Sequence, residues 1–125
     1  MLATVVGAGL GVVVQKNVDD SLREKVTLTI SCRNLKNMDV MSKSDPQVYV
    51  YSREAKNPKW IEIGKTEMVT NNLNPDFSTN IECFYFFERE QTLKFEVFDI
   101  DLDKHERDYI GNFETTMGKI MGAPK

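Results

Sequence analysis

Five aspartates carry the chemistry this chain could perform. Asp39 and Asp45 lie in the run Leu35-Lys36-Asn37-Met38-Asp39-Val40-Met41-Ser42-Lys43-Ser44-Asp45-Pro46. Asp99 and Asp101 close the alternating run Leu93-Lys94-Phe95-Glu96-Val97-Phe98, and Asp108 stands just before Tyr109-Ile110-Gly111. Any one of these residues is explained by the taste of Asp for turns, where its side chain bonds the local backbone. The set is not. Turn chemistry does not require acids converging from two distant loops, and carboxylates so gathered repel one another unless a cation sits between them. Hard oxygen ligands on flexible loops are the chemistry of Ca²⁺.

Other uses of the same residues fail on spacing. Asp99, Asp101 and Asp103 match positions 1, 3 and 5 of a helix–loop–helix calcium loop, but Lys104 stands where Gly is needed and Ile110 where a bidentate Glu is needed. Paired carboxylates do acid–base work in glycosidases, yet residues i and i+2 at a strand end do not flank a substrate bond. GxSxG, P-loop and dinucleotide patterns are missing, and the lone His105 lies in a charged loop with no nucleophile near it in sequence. An enzyme is not expected.

The elements that must position these acids are strands. Val26, Leu28, Ile30 and Cys32 alternate with Thr27, Thr29 and Ser31, a period of two. Gln47 to Tyr51 is a short β run after Pro46. A strand over Trp60 to Ile63 follows the turn at Asn57-Pro58, and Asn71-Asn72-Leu73-Asn74-Pro75 is a loop. Ile81 to Phe86 and Leu93 to Val97 alternate again, and Phe113, Thr115 and Met117 extend a last strand. Short strands separated by turns at this spacing predict an all-β fold, an antiparallel β-sandwich. Its loops cluster at the two ends and carry the binding residues.

A chain of 125 residues with a net charge of −3 is one domain by length. That charge argues against nucleic acid as a partner and against affinity for anionic membranes built on bulk positive charge. Cys32 and Cys83 occupy apolar positions of alternating segments and have no metal-type spacing, so both are expected as buried free thiols of a cytoplasmic protein. Met1 to Val14 is apolar and rich in Gly. It is too short to span a bilayer and has no basic region before it, which leaves an N-terminal leader or an additional strand over residues 1–24.

The spaced elements Asp39-x5-Asp45-Pro46, Leu73-Asn74-Pro75-x-Phe77, Asp99-x-Asp101 and Asp108-x-Ile110-Gly111 resemble the C2 domain, from Lys25 to about Met117. Ser31 to Leu35, Ser42 to Pro46 and Phe95 to Asp101 are most like the first C2 domain of copines. The resemblance implies an eight-stranded Greek-key sandwich over residues 25–125, short at its C-terminus because the family has further strand material after the region matching Met117. It implies a parent with a second C2 domain and a von Willebrand A-like domain. It also implies a Ca²⁺ site of Asp39, Asp45, Asp99, Asp101 and Asp108. Asp103 is an alternative third ligand in the last loop, since the interval from Asp101 to Asp108 is one residue longer than the commonest spacing.

The function so implied is Ca²⁺-dependent binding of anionic phospholipid, phosphatidylserine in type, which would bring a cytoplasmic protein to the plasma membrane when Ca²⁺ rises. Val40 and Met41 in the first loop and Leu102 in the last are the apolar candidates for shallow insertion into the membrane. Some relatives carry a polybasic strand for phosphoinositides; here Lys56, Lys59 and Lys65 are interleaved with Glu54, Glu62 and Glu67, which weakens that reading. The alternative is a Ca²⁺-independent module of the same fold that binds protein partners.

Overall fold

Period-two alternation yields eight strands and one short helix in the computed structural model, which describes residues 2–7, 9–17, 23–37, 43–54, 57–86 and 89–122. The strands are β1 (Leu2–Gly7), β2 (Leu10–Asn17), β3 (Arg23–Cys32), β4 (Pro46–Glu54), β5 (Ile61–Lys65), β6 (Ile81–Phe86), β7 (Gln91–Asp101) and β8 (Glu106–Thr116), followed by helix α1 (Met117–Gly122). They form two four-stranded sheets of order β1-β2-β3-β6 and β5-β4-β7-β8, antiparallel throughout. The neighbours β3/β6 and β4/β7 are far apart in sequence. The chain therefore passes between the sheets and returns, and several connections gather at one end.

Alternation also fixes the core. Val26, Leu28 and Ile30 of β3, Val48 and Val50 of β4, and Leu93 and Phe95 of β7 turn inward at 0–1% exposure. Fully burying such side chains stabilises the fold by about 1.5–3 kcal/mol each. Pro46 opens β4, where its missing N–H costs the ladder nothing. The N-terminal apolar segment is a hairpin, and Leu10 and Val12 of β2 are buried in the same core. Gly9 in its connection has φ +81°, and a Cβ there would stand 2.6 Å from the Arg33 carbonyl oxygen, so only Gly fits.

Two stretches differ from the sequence-based expectation. Trp60 precedes β5 and does not begin it. Met117 ends the strand pattern and starts a helix, because the Thr116 hydroxyl accepts a hydrogen bond from Lys119 N (3.2 Å), an N-cap. Met117, Ile120 and Met121 then share one buried face at i, i+3 and i+4.

Candidate functional site

Asp45, Asp99, Asp101 and Asp108 all sit at the end of the sandwich where β4 begins, β7 ends and β8 begins. Asp99 is 3% exposed and lies opposite Pro46 on one side and Asp108 on the other. Its Oδ1 accepts a hydrogen bond from Asp45 N (2.8 Å), while Ile100 N donates to the Asp45 carbonyl (3.0 Å). These two bonds fasten the loop before β4 to the end of β7. They bring Asp45 and Asp99, 54 residues apart, into direct contact.

The carboxylates also organise their own loops. Asp45 Oδ1 accepts from Asn71 N (2.7 Å), and Asn71 takes a left-handed conformation with φ 52°. Asn72 N donates to the Ser44 carbonyl (3.1 Å), so the 71–75 loop lies against the loop before β4. Asp101 Oδ1 accepts from Asp103 N (3.1 Å) and Lys104 N (3.2 Å), closing the turn between β7 and β8. Asp103, Lys104 and His105 are exposed in that turn, and Leu102 stands 65% exposed at its tip.

Asp39, Val40 and Met41 lie outside the described residues. Among the described residues, no three His, Cys, Asp or Glu side chains are drawn together closely enough to hold a metal ion. Backbone N–H groups engage Oδ1 of Asp45, Asp99 and Asp101. The donor set nonetheless fits a hard cation in kind: carboxylates only, on three adjoining segments, with the buried Asp99 among them.

Sequence reasoning missed a second feature, the outer face of the β5-β4-β7-β8 sheet. Arg107 lies over Phe98 (4.2 Å to the ring centroid) and Tyr49 (4.9 Å), and Lys65 also faces Tyr49 (5.7 Å). Arg53 (4.4 Å) and Lys94 (4.6 Å) cover Trp60, and Lys94 reaches Tyr51 (5.1 Å). Each cation is attracted by the negative face of a ring. Glu62 and Glu96 pair with Tyr51 and Tyr49 in the register, so acids interrupt this face. Burial, with Glu96 beside it and Arg107 opposing, raises the Tyr51 hydroxyl pKa.

Three further groups are shifted by their surroundings. Cys32 is buried and Cys83 half-buried, both free, and burial pushes both thiols up to about 12, with Arg33 opposing at Cys32. Desolvation pushes the Glu67 carboxyl up, but hydrogen bonds from Ser78 N (2.8 Å), Ser78 Oγ (2.7 Å) and Thr79 N (3.1 Å) outweigh it and hold the group at about 2. No helix among the described residues is long and apolar enough to cross a membrane.

The profile of the C2 domain family matches residues 24–125. Copine-E of Dictyostelium discoideum is 50% identical over 105 residues, covering 80% of this chain and 18% of that protein. Copine-B of the same organism is 39% identical over 108 residues, covering 82% and 20%. The chain thus spans about a fifth of the length of the curated relatives it matches. Among solved structures, BON1-C2B superposes with a TM-score of 0.58 at 23% identity over 79% of this chain and 72% of that one, a likeness of fold. The four elements that unite the acidic loops with the sandwich, the match over residues 24–125 and the copine similarity agree: the chain belongs to the C2 domain family and is copine-like within it.

Proposed function

We propose that this domain binds anionic phospholipid membranes when Ca²⁺ is present, through Asp39, Asp45, Asp99, Asp101 and Asp108. The observation that supports this most is the direct joining of Asp45 to Asp99 beside Asp101 and Asp108, with the exposed Leu102 next to them. A bound Ca²⁺ would supply positive charge that offers open coordination positions to lipid phosphate or carboxylate oxygens.

The protein's own part is electrostatic and geometric. Without the cation, the carboxylates at this end repel an anionic surface; with it, the local sign reverses and no fold change is required. The N–H groups of Asp45, Asn71 and Asp103, bonded to the carboxylates of Asp99, Asp45 and Asp101, hold the loops in place beforehand, which lowers the ordering cost of binding. Leu102 adds apolar contact at the membrane surface. In the cell this corresponds to a cytoplasmic protein that becomes peripheral at the plasma membrane as Ca²⁺ rises.

Co-sedimentation with phosphatidylserine vesicles, with and without Ca²⁺, tests the reading. Pelleting with Ca²⁺ and its loss on chelation is the expected result. In the absence of lipid, Ca²⁺ should raise the melting temperature. For a site of about 10⁻⁴ M, toward the weaker end of the range for calcium loops, 1 mM Ca²⁺ would stabilise the fold by about 1.4 kcal/mol. No thermal shift at millimolar Ca²⁺ would sink the proposal.

The second reading is a Ca²⁺-independent module for an acidic protein partner, favoured by the cation-and-aromatic face of Arg53, Lys65, Lys94 and Arg107. Binding to acidic partners that is unchanged by chelation would select it.

A further inference from the structure

A cavity of about 230 Å³ opens between the two sheets beneath the first residues of the loop after β3. Gly111 is one cause of it. Gly111 pairs with Val97, whose side chain is buried between the sheets, and directly opposed residues of neighbouring strands point to the same face. Position 111, itself half-exposed, therefore faces the gap between the sheets, and a Cβ there would meet nothing within 4 Å. Interiors of folded proteins are otherwise close-packed, so an inward position with no neighbour marks space left open. The register shift between Val97 and Phe98 makes Ile110 the unpaired extra residue, and Ile110 lines the same space.

The wall is apolar and the mouth is not. The buried Leu10, Cys32, Phe95 and Val97 and the half-exposed Ile110 and Phe113 line the cavity. At the mouth, Arg33 is committed to Asp76 (2.7 Å), whereas the exposed Lys36 has no ion pair among the described residues. Scaled from a 150 Å³ cavity that holds benzene, the volume takes a single chain of about nine carbons. Two acyl chains do not fit.

We propose that this slot binds one medium-chain fatty acid, with the tail between the sheets and the carboxylate at the Lys36 ammonium. An apolar tail leaving water for an apolar slot is favoured by burial, and the ammonium selects an anionic end. The binding involves none of the five aspartates and does not depend on the Ca²⁺ reading above.

Titration of this chain with decanoate below its micelle concentration, followed by backbone amide NMR, tests the proposal. Expected are one saturable site, the largest shifts at Leu10 and at Ile110 to Phe113, and the same affinity with or without Ca²⁺. Decanol should bind several-fold more weakly and decylammonium more weakly still, and Lys36→Gln should erase the preference for decanoate over decanol. Gly111→Leu should block binding with an unchanged or higher melting temperature, and Gly111→Ala, the milder variant, should weaken it while keeping the fold. Wild-type affinity in both Gly111 variants, shifts centred elsewhere, or non-saturating binding would overturn the site. Equal binding of decanoate and decylammonium would overturn the role of Lys36.

Discussion

The acidic end of the sandwich carries carboxylates and the outer face of the β5-β4-β7-β8 sheet a mixture of cations and acids, and each is held by a different interaction. At the acidic end, carboxylates are fastened by backbone N–H groups: Asp99 by Asp45 N, Asp45 by Asn71 N, Asp101 by Asp103 N. On the sheet face, cations lie on rings, Arg107 on Phe98 and Lys94 on Trp60. On the function proposed above, the first arrangement repels an anionic surface until a cation arrives. The second attracts an anionic surface at any Ca²⁺ concentration, but the interleaved Glu62 and Glu96 and the screening of exposed charge weaken it. A Ca²⁺-controlled device therefore needs the acidic end; the sheet face alone would give constitutive, salt-sensitive adhesion.

The largest effect that would break this comparison comes from Asp99→Asn and Asp45→Asn. Each keeps the shape and one carbonyl oxygen, so the fold should persist in circular dichroism. Ca²⁺ affinity follows the charge count of the ligands, and Ca²⁺-dependent pelleting should fall by about tenfold or more. The metal-free variants should melt no lower than the parent, since like-charge repulsion is relieved. Undiminished Ca²⁺-dependent sedimentation of both would put the site elsewhere.

A smaller effect sharpens the other side. Lys94→Gln with Arg107→Gln should lower vesicle binding in chelator by roughly the worth of exposed cation–ring and charge contacts, about 0.5–1 kcal/mol each, and leave the thermal shift with Ca²⁺ intact. Raising salt from 0.05 to 0.5 M should remove the same contribution in the parent. If instead the double variant loses the Ca²⁺ shift, the two regions are coupled. Leu102→Ala should reduce Ca²⁺-dependent lipid binding about two- to threefold, less than full burial of a Leu is worth. It should not change Ca²⁺ affinity without lipid, since the side chain cannot ligate the ion.

A further effect lies outside both regions. The Glu67 carboxyl is held at about 2 in the fold against an ordinary 4.5. Its stabilisation is fully present above about pH 4.5 and is lost as pH falls toward 2, because the unfolded chain takes up the proton first. Glu67→Gln should flatten the acid limb of a urea-melt series between those values, with little acid-side change elsewhere.

The sequence by itself determined the sandwich and the place of Asp99 and Asp101 at the end of one of its strands. The alternation of Val26, Leu28, Ile30 and Cys32 leaves a strand one face to bury, and the Asp99-x-Asp101 spacing at the end of such a strand places both carboxylates at a loop end. The local pattern is sufficient there because a strand's side-chain period is 2 whatever it pairs with. Registers between strands are a tertiary matter. They bring Arg53, Lys65, Lys94 and Arg107 from four strands onto one face, where the sequence offered only lysines interleaved with acids. They likewise set Gly111 against Val97 to leave the slot, with β-bulges at Val50/Tyr51 and Val97/Phe98 that no local signal announces. The joining of Asp45 to Asp99 across 54 residues depends on two loops meeting, and the helix at Met117 on whether Met117, Ile120 and Met121 find a core to bury against. Contacts distant in the chain decide these points, and periodicity within one segment carries no information about them.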